Sequence, residues 1–208
     1  LRVASLFAGV GGIELGLQRS GHRTTLFCEK DPAAIAVLAN RFPGVPLVSD
    51  VCELDRVPRG TQLLTAGFPC QDLSQAGTTR GIAGGRSGLV REVLRLLEHD
   101  RVPWVLLENV PFMLQLARGR ALEVIVGELE ALGYRWAYRV VDTRSMGLPQ
   151  RRERIFLLAS LENDPRDVLL ADDAGPPSDP GTRSDVACGF YWTEGVRGLG
   201  WAEDAVPT

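Results

Sequence analysis

A chain of 208 residues is long enough for one well-buried α/β domain and too short for two full-sized ones. Its formal net charge of -3 argues against nonspecific electrostatic attraction to nucleic acid as the main function, but leaves room for a local basic surface. Four cysteines without C-x-x-C spacing and two histidines form no metal-ligand pattern and favour a reducing, cytoplasmic setting. No apolar run approaches the roughly 20 residues of a membrane span.

The N-terminal half alternates between short apolar runs and helical patterns. It predicts strands at 2–7, 24–28, 47–50 and 62–67. A glycine turn at 8–12 opens into a first helix, and a second helix runs from Ala33 to about Arg41, with Asp31 as N-cap and Pro32 in the first turn. This alternation predicts a doubly wound, mainly parallel sheet.

The C-terminal half begins with a segment between Gln75 and Gly88 that holds several glycines and little apolar patterning, which predicts a mobile loop. A helix is predicted at 89–97, and a buried strand at 103–107 delivers Glu108 and Asn109 to its end. A helix at 120–132 precedes strands at 134–141 and 154–159, which should be antiparallel to each other. We expect one domain at 1–160 and a loop-rich tail at 161–208.

A cysteine stands where the fourth predicted strand gives way to a loop. Pro69 fixes its own φ and biases Phe68 towards an extended conformation. Cys70 is therefore presented at a carboxyl edge, where open α/β sheets place their ligands. Taken alone, a free cysteine is more often a small buried core residue, so its neighbours decide the interpretation.

Glycines and acids follow the first three strands. The turn from Phe7 to Gly12 lets backbone approach a ligand closely, although Glu14 interrupts the full G-x-G-x-x-G pattern. Glu29 and Asp50 end the second and third strands, and an acid after the second strand commonly binds ribose hydroxyls. These residues suggest an adenosine-containing cofactor, while each acid singly also fits a helix cap or a solvated loop charge.

Four motifs occur in a fixed order: Phe7–Gly12, Gly67–Gln71, Glu108–Val110 and Gln150–Arg154. From Phe7 to Phe156 the chain resembles the C5-cytosine DNA methyltransferases. The resemblance implies a Rossmann-like S-adenosylmethionine-dependent methyltransferase fold, mainly parallel with an antiparallel strand near the end. It implies DNA (cytosine-5-)-methyltransferase activity on double-stranded DNA.

The resemblance also implies S-adenosyl-L-methionine as methyl donor, S-adenosyl-L-homocysteine as product, and no metal. Phe7 is similar to the adenine-stacking aromatic, Glu29 to the ribose ligand and Asp50 to the acid at the adenine edge. The remaining cofactor contacts fall on Ala8, Gly9, Gly11, Gly12 and Phe68.

Carbon 5 of cytosine is too weak a nucleophile to attack a sulfonium methyl group, so a thiolate must first add at carbon 6. The resemblance gives this attack to Cys70. Glu108 then hydrogen-bonds ring nitrogen 3 and the exocyclic amine. Arg154 resembles the donor to the cytosine carbonyl oxygen, and Arg152 a neighbouring contact near phosphate or the thiolate. The sequence names no base for the final loss of the carbon 5 proton.

The target cytosine must be flipped out of the duplex to reach these groups. The segment from Ser74 to Gly88 is similar to the family's catalytic loop, which closes on DNA. The expected substrate contacts are Pro69, Gln71, Ser74, Asn109, Arg80 and Arg86. Other interpretations remain open: a structural salt bridge for Glu108, and a solvated charge run for Arg151, Arg152 and Arg154.

Complete relatives continue into a target-recognition domain and two further motifs that are not evident here. The stretch after Gly189 resembles the lead-in to that domain, so we expect a complementing recognition subunit or a missing C-terminal region. A truncated chain, a split-enzyme subunit and a decayed gene product all fit this pattern.

Two other functions compete with DNA methylation. The tRNA-methylating branch shares several motifs, but the run from Gln71 to Ser74 is more similar to the DNA enzymes. A catalytically silent scaffold is disfavoured by intact Cys70, Glu108 and Arg154. A prokaryotic, cytoplasmic and nucleoid-associated protein of restriction-modification type is expected.

Overall fold

The computed structural model describes residues 1–69, 88–148, 150–171, 189–192 and 199–202. The predicted mobile loop lies outside the described residues except for Gly88. The same holds for five of the predicted site residues: Cys70, Gln71, Ser74, Arg80 and Arg86.

One sheet of seven strands organises the described chain. The strands are β1 (Arg2–Leu6), β2 (Arg23–Cys28), β3 (Leu47–Val48), β4 (Leu63–Ala66), β5 (Trp104–Asn109), β6 (Arg135–Asp142) and β7 (Glu153–Ser160). Their order across the sheet is β3-β2-β1-β4-β5-β7-β6. The first five strands pair in parallel, whereas β7 is antiparallel to both β5 and β6. The prediction of a mainly parallel sheet with an antiparallel strand near the end is confirmed.

Helices connect the strands. They are α1 (Gly12–Arg19), α2 (Pro32–Arg41), α3 (Leu89–Asp100), α4 (Arg120–Ala131) and the short α5 (Arg166–Leu169). Asp31 is the N-cap of α2, as predicted, because its carboxylate accepts hydrogen bonds from the amides of Ala33 and Ala34 at 2.8 and 2.9 Å. Short 3₁₀ segments occur at Val51–Glu53, Pro111–Leu114, Leu116–Gly119 and Thr143–Met146.

Apolar side chains form a core on each face of the sheet. Leu26 belongs to a large cluster that includes residues of α3 and α4, whereas the next residue, Phe27, packs with Leu38 of α2 and with Phe42. Successive residues of a strand point to opposite faces, so these two clusters lie on opposite sides of the sheet. Leu15 of α1 packs against the smaller cluster, which places α1 and α2 on the same face.

Two predicted strand ends are wrong by two residues, whereas the other strand ends differ from the prediction by at most one. The third strand pairs only through Leu47–Val48 and does not continue to Asp50, because the Asp50 carboxylate caps the 3₁₀ segment that follows. The fifth strand extends beyond its predicted end at Leu107, because Glu108 and Asn109 pair with Phe156 and Ile155 of β7. Glu108 and Asn109 therefore lie inside the sheet's ladder.

The region after Leu161 contains α5 and a separate antiparallel pair, β8 (Gly189–Trp192) with β9 (Leu199–Ala202). Most of the predicted tail at 161–208 lies outside the described residues, so its boundary stays a prediction. None of the helices in the described part of the chain has the length and hydrophobicity that crossing a membrane requires.

Candidate active site

The predicted motifs meet along one edge of the sheet. Parallel strands end at a common edge, and antiparallel β7 begins at that same edge. From β3 to β7 this edge carries, in order, Asp50, Glu29, the turn at 7–12, Gly67, Glu108 and Arg154. Strand order reverses between β1 and β4, and α/β sheets open a ligand crevice at such a switch point.

The glycine turn after β1 is held close to the end of β2. The amide of Ala8 donates to the Cys28 carbonyl at 3.3 Å, and the amide of Gly9 donates to Glu29 Oε2 at 2.6 Å. Gly11 has a φ of 79°, and a Cβ there would stand 2.6 Å from the Phe42 ring, so the turn requires glycine at this position. A Cβ at Gly9 or Gly12 would lie in open space, with no heavy atom of the described chain within 4 Å apart from its neighbours in sequence.

The Glu29 carboxylate is fixed by three backbone amides. Besides Gly9, the amides of Lys30 and Asp31 donate to its Oε1 at 2.8 and 2.9 Å. The helix cap is Asp31, so the alternative interpretation of Glu29 as the cap does not apply. Glu29 instead joins the end of β2 to the glycine turn.

Asp50 lies at the neighbouring strand end. Its carboxylate accepts from the Cys52 amide at 3.0 Å and pairs with Lys30 Nζ at 3.2 Å. The hydrogen bond from Cys52 and the one from Lys30 lower the pKa of Asp50. Asp50 is therefore an ionised acceptor at neutral pH.

The two described cysteines are poor nucleophiles. Burial, together with nearby Asp50 and Glu29, raises the pKa of the Cys28 thiol to about 11. Desolvation and a hydrogen bond with Asp50 raise the pKa of exposed Cys52. Because the thiolate is the reactive form, neither cysteine has the environment of an activated nucleophile.

Glu108 and Arg154 form an ion pair on adjacent strands. Arg154 Nε lies 2.9 Å from Glu108 Oε1, and the side chains of Arg154 and Glu108 are 24% and 23% exposed. Glu108 Oε2 lies 3.2 Å from the point where a Cβ on Gly67 would stand, and the Phe7 carbonyl oxygen lies 3.6 Å from that point. Three predicted motifs thus meet around Gly67, and a side chain there would crowd the Glu108 carboxylate.

Asn109 holds the backbone just before Cys70. It is buried, its Nδ2 donates to the Phe68 carbonyl at 3.0 Å, and its Oδ1 accepts from the Val110 amide at 2.8 Å. The Phe68 side chain is 2% exposed and belongs to the large core, while Pro69 is exposed. The structure thus gives Asn109 backbone contacts, whereas the sequence suggested a substrate contact.

Arg152 lies outside this ion pair. It precedes β7 and is exposed, and its carbonyl accepts from the Thr143 amide at 3.0 Å. Arg151 beside it is also exposed. Of the basic residues in this motif, the structure joins Arg154 to Glu108.

Sequence reasoning missed one polar residue beside the turn. Glu14, in the first turn of α1, is 1% exposed, and its Oε1 accepts from Ser5 Oγ at 2.8 Å and from Thr65 Oγ1 at 2.9 Å. Hydroxyl residues within the buried stretches of β1 and β4 were the available signal.

A family profile for C-5 cytosine-specific DNA methylases matches residues 1–179. The chain belongs to this family. Type II methyltransferase M2.BsuMI of Bacillus subtilis (strain 168) is 54% identical over 215 residues, covering 100% of this chain and 55% of that protein. Type II methyltransferase M.BanI of Aneurinibacillus aneurinilyticus is 36% identical over 178 residues, covering 83% of this chain and 41% of that protein.

This member of the C-5 cytosine methylase family spans about half the length of the curated relatives it matches. Its fold also matches the crystal structure of the S. pombe Dnmt2 methyltransferase, with a TM-score of 0.65, 22% identity, and coverage of 86% of this chain and 57% of that chain. The methyltransferase fold expected from the sequence is confirmed. Within the described ranges, no group of three or more His, Cys, Asp or Glu residues is arranged to hold a metal ion.

Proposed function

We propose that this chain is the catalytic region of a DNA cytosine-5 methyltransferase that acts on a flipped cytosine in double-stranded DNA. The observation that carries the proposal is the ion pair of Glu108 and Arg154 over Gly67, three residues before Cys70. A carboxyl group and a guanidinium at this spacing suit the nitrogen 3 and carbonyl oxygen of one pyrimidine ring.

The residues at the edge of β1, β2 and β3 fit S-adenosylmethionine. Open space beside Gly9 and Gly12 admits a ligand against the backbone. We assign the ribose hydroxyls to Glu29, whose carboxylate the Gly9 amide holds, and the adenine amine to Asp50, whose lowered pKa keeps it an ionised acceptor. The half-buried Phe7 ring offers an aromatic face at the same edge. When bound, the cofactor supplies an electrophilic methyl group.

The chain's own residues activate the cytosine. The Cys70 thiolate forms a bond to carbon 6, and the electron pair of the 5,6 double bond moves towards carbon 5 and the ring nitrogen. Glu108 stabilises the charge that develops at nitrogen 3. The N–H groups of Arg154 that are used neither for Glu108 nor for the Glu153 carbonyl donate to the carbonyl oxygen of the cytosine. After carbon 5 gains the methyl group it loses its proton to water, and the electron pair of that C–H bond re-forms the 5,6 double bond as the thiolate leaves carbon 6.

Asn109 supports this chemistry through a hydrogen bond to the backbone. By holding the Phe68 carbonyl, it fixes the backbone from which Pro69 and Cys70 continue. We assign phosphate or base contacts to Gln71, Ser74, Arg80, Arg86 and Arg152. Target recognition is assigned to a complementing recognition subunit or a C-terminal region, and the activity to the prokaryotic cytoplasm and nucleoid.

The decisive experiment is covalent trapping on duplex DNA that contains 5-fluorocytosine, with labelled S-adenosylmethionine. The chain is tested alone and with the C-terminal part of the B. subtilis relative supplied separately. We expect a labelled protein–DNA adduct that Cys70→Ser abolishes and that the matched control Cys52→Ser retains, because Cys52 is exposed and lies outside the proposed mechanism.

An RNA duplex of the same sequence serves as the competing substrate. Preferential trapping on RNA would favour the tRNA-methylating branch. Measurable cofactor binding without any trapping in either combination would refute the activity and leave the fold unaffected. A Cys70→Ser variant that still formed the adduct would refute the assignment of the nucleophile.

A further inference from the structure

A buried carboxylate that the proposed mechanism does not use lies beside the glycine turn. Glu14 is 1% exposed, and one of its oxygens, Oε1, receives both hydroxyl hydrogen bonds, from Ser5 and from Thr65. Its second oxygen, Oε2, has no hydrogen-bond partner among the residues that the structure describes.

Such a group works against the stability of the fold. A buried acid without full hydrogen bonding carries a desolvation penalty, and well-packed apolar residues often replace buried charged groups at no loss of stability. The carboxylate therefore calls for an explanation beyond stability.

The two hydroxyl contacts reach different parts of the site. Ser5 and Thr65 are register partners on β1 and β4, so both face α1 at the point where strand order reverses. The bond to Ser5 spans nine residues and closes the β1–turn–α1 unit on itself. The bond to Thr65 spans 51 residues and joins α1 to the strand that leads through Gly67 to Cys70.

We propose that Glu14 is a positioning residue that fixes the turn at 7–12 against β4, and so aligns the cofactor turn with the strand that precedes Cys70 in the chain. This inference rests on the proposed function. Glu14 itself is 1% exposed, so it is enclosed by protein and offers no surface to cofactor or base. The bond to Thr65 carries the alignment, because the Ser5 bond joins segments that the chain already connects covalently.

The proposal predicts unequal effects from two matched deletions. Thr65→Val and Ser5→Ala each remove one hydroxyl donor to the same oxygen, and valine keeps the shape of threonine. We expect Thr65→Val to raise the dissociation constant for S-adenosylmethionine about tenfold, the equivalent of one hydrogen bond to a charged group. Ser5→Ala should raise it less than about threefold, because β1 stays covalently joined to the turn.

Two measurements separate alignment from mere stability. Calorimetry gives the dissociation constant for S-adenosylmethionine, and hydrogen exchange without cofactor gives the protection of the amides at 8–12. Thr65→Val should speed exchange in the turn, whereas Ser5→Ala should change it little. Glu14→Gln keeps the accepting oxygen and should bind within about threefold of wild type, and Glu14→Leu should lose about tenfold.

Equal losses of thermal stability in Thr65→Val and Ser5→Ala, with unchanged cofactor affinity and unchanged exchange, would overturn the proposal. If Glu14→Leu does not fold, the two hydroxyl deletions decide the question by themselves. If the wild-type chain bound no cofactor but Thr65→Val still sped hydrogen exchange in the turn, the proposed function would be refuted and the alignment supported. If the wild-type chain bound cofactor and Thr65→Val bound it equally well, the alignment would be refuted and the proposed function supported.

Discussion

Phe7 occupies a backbone conformation that favours glycine. Its φ is 54°, in the left-handed region, where the Cβ of an L-residue crowds the following carbonyl oxygen. The ring is half-buried and packs against the large core, and the Phe7 carbonyl lies beside Gly67. Strain of this kind persists where the surrounding structure imposes it, often at ligand sites.

Replacing Phe7 by alanine and by glycine separates this strain from the loss of the ring. Both variants lose the partly buried ring, at a cost of about 1–2 kcal/mol in the free energy of unfolding. Glycine also releases the left-handed strain of about 1–2 kcal/mol, but glycine is intrinsically less stabilising than alanine by about 0.5–1 kcal/mol. We expect Phe7→Gly to be more stable than Phe7→Ala by about 0.5–1 kcal/mol, reversing the usual order.

Urea unfolding of the two variants measures this difference. Ala8→Gly is the matched control, since Ala8 is the next residue and has no positive φ, so glycine should destabilise there by about 0.5–1 kcal/mol. Both Phe7 variants should bind S-adenosylmethionine equally poorly, because both lack the ring. A Phe7→Ala variant at least as stable as Phe7→Gly would refute the strain argument.

Three further predictions concern the rest of the site. Glu108→Gln should lower kcat about 100-fold without changing cofactor affinity. Combined with Arg154→Met in a double-mutant cycle, it should give a coupling free energy of about 1 kcal/mol, measured by urea unfolding. Asn109→Ala should lower the free energy of unfolding by about 1–3 kcal/mol, because the Phe68 carbonyl loses its donor, and Asn109→Leu should not restore it. The lowered pKa of Asp50 means that its contribution to stability is present above about pH 4 and disappears as the pH falls through that lowered pKa. The gap between wild type and Asp50→Asn in acid titrations of unfolding should therefore close at low pH, and a gap that widened would contradict this.

Local patterns in the sequence were sufficient for most elements of the fold. Apolar runs and turn residues located the strands within a few residues, and the Asp31-Pro32 pair marked the start of α2. The ends of β3 and β5 could not be read in this way. The first depends on an Asp50 carboxylate that caps the next segment, and the second on pairing with β7, which lies far along the chain.

The sequence by itself determined the family, the order of the motifs and the residue types that the chemistry needs. These features are local, because each motif is a short run of residues that can be recognised in the sequence without knowledge of the fold. Only the tertiary structure decided which side chains meet: it paired Glu108 with Arg154, turned Asn109 towards backbone, and joined Glu14 to Thr65 across 51 residues. Such contacts depend on strand order and register, and a polar side chain's partners are set by the elements packed around it, not by its neighbours in the chain.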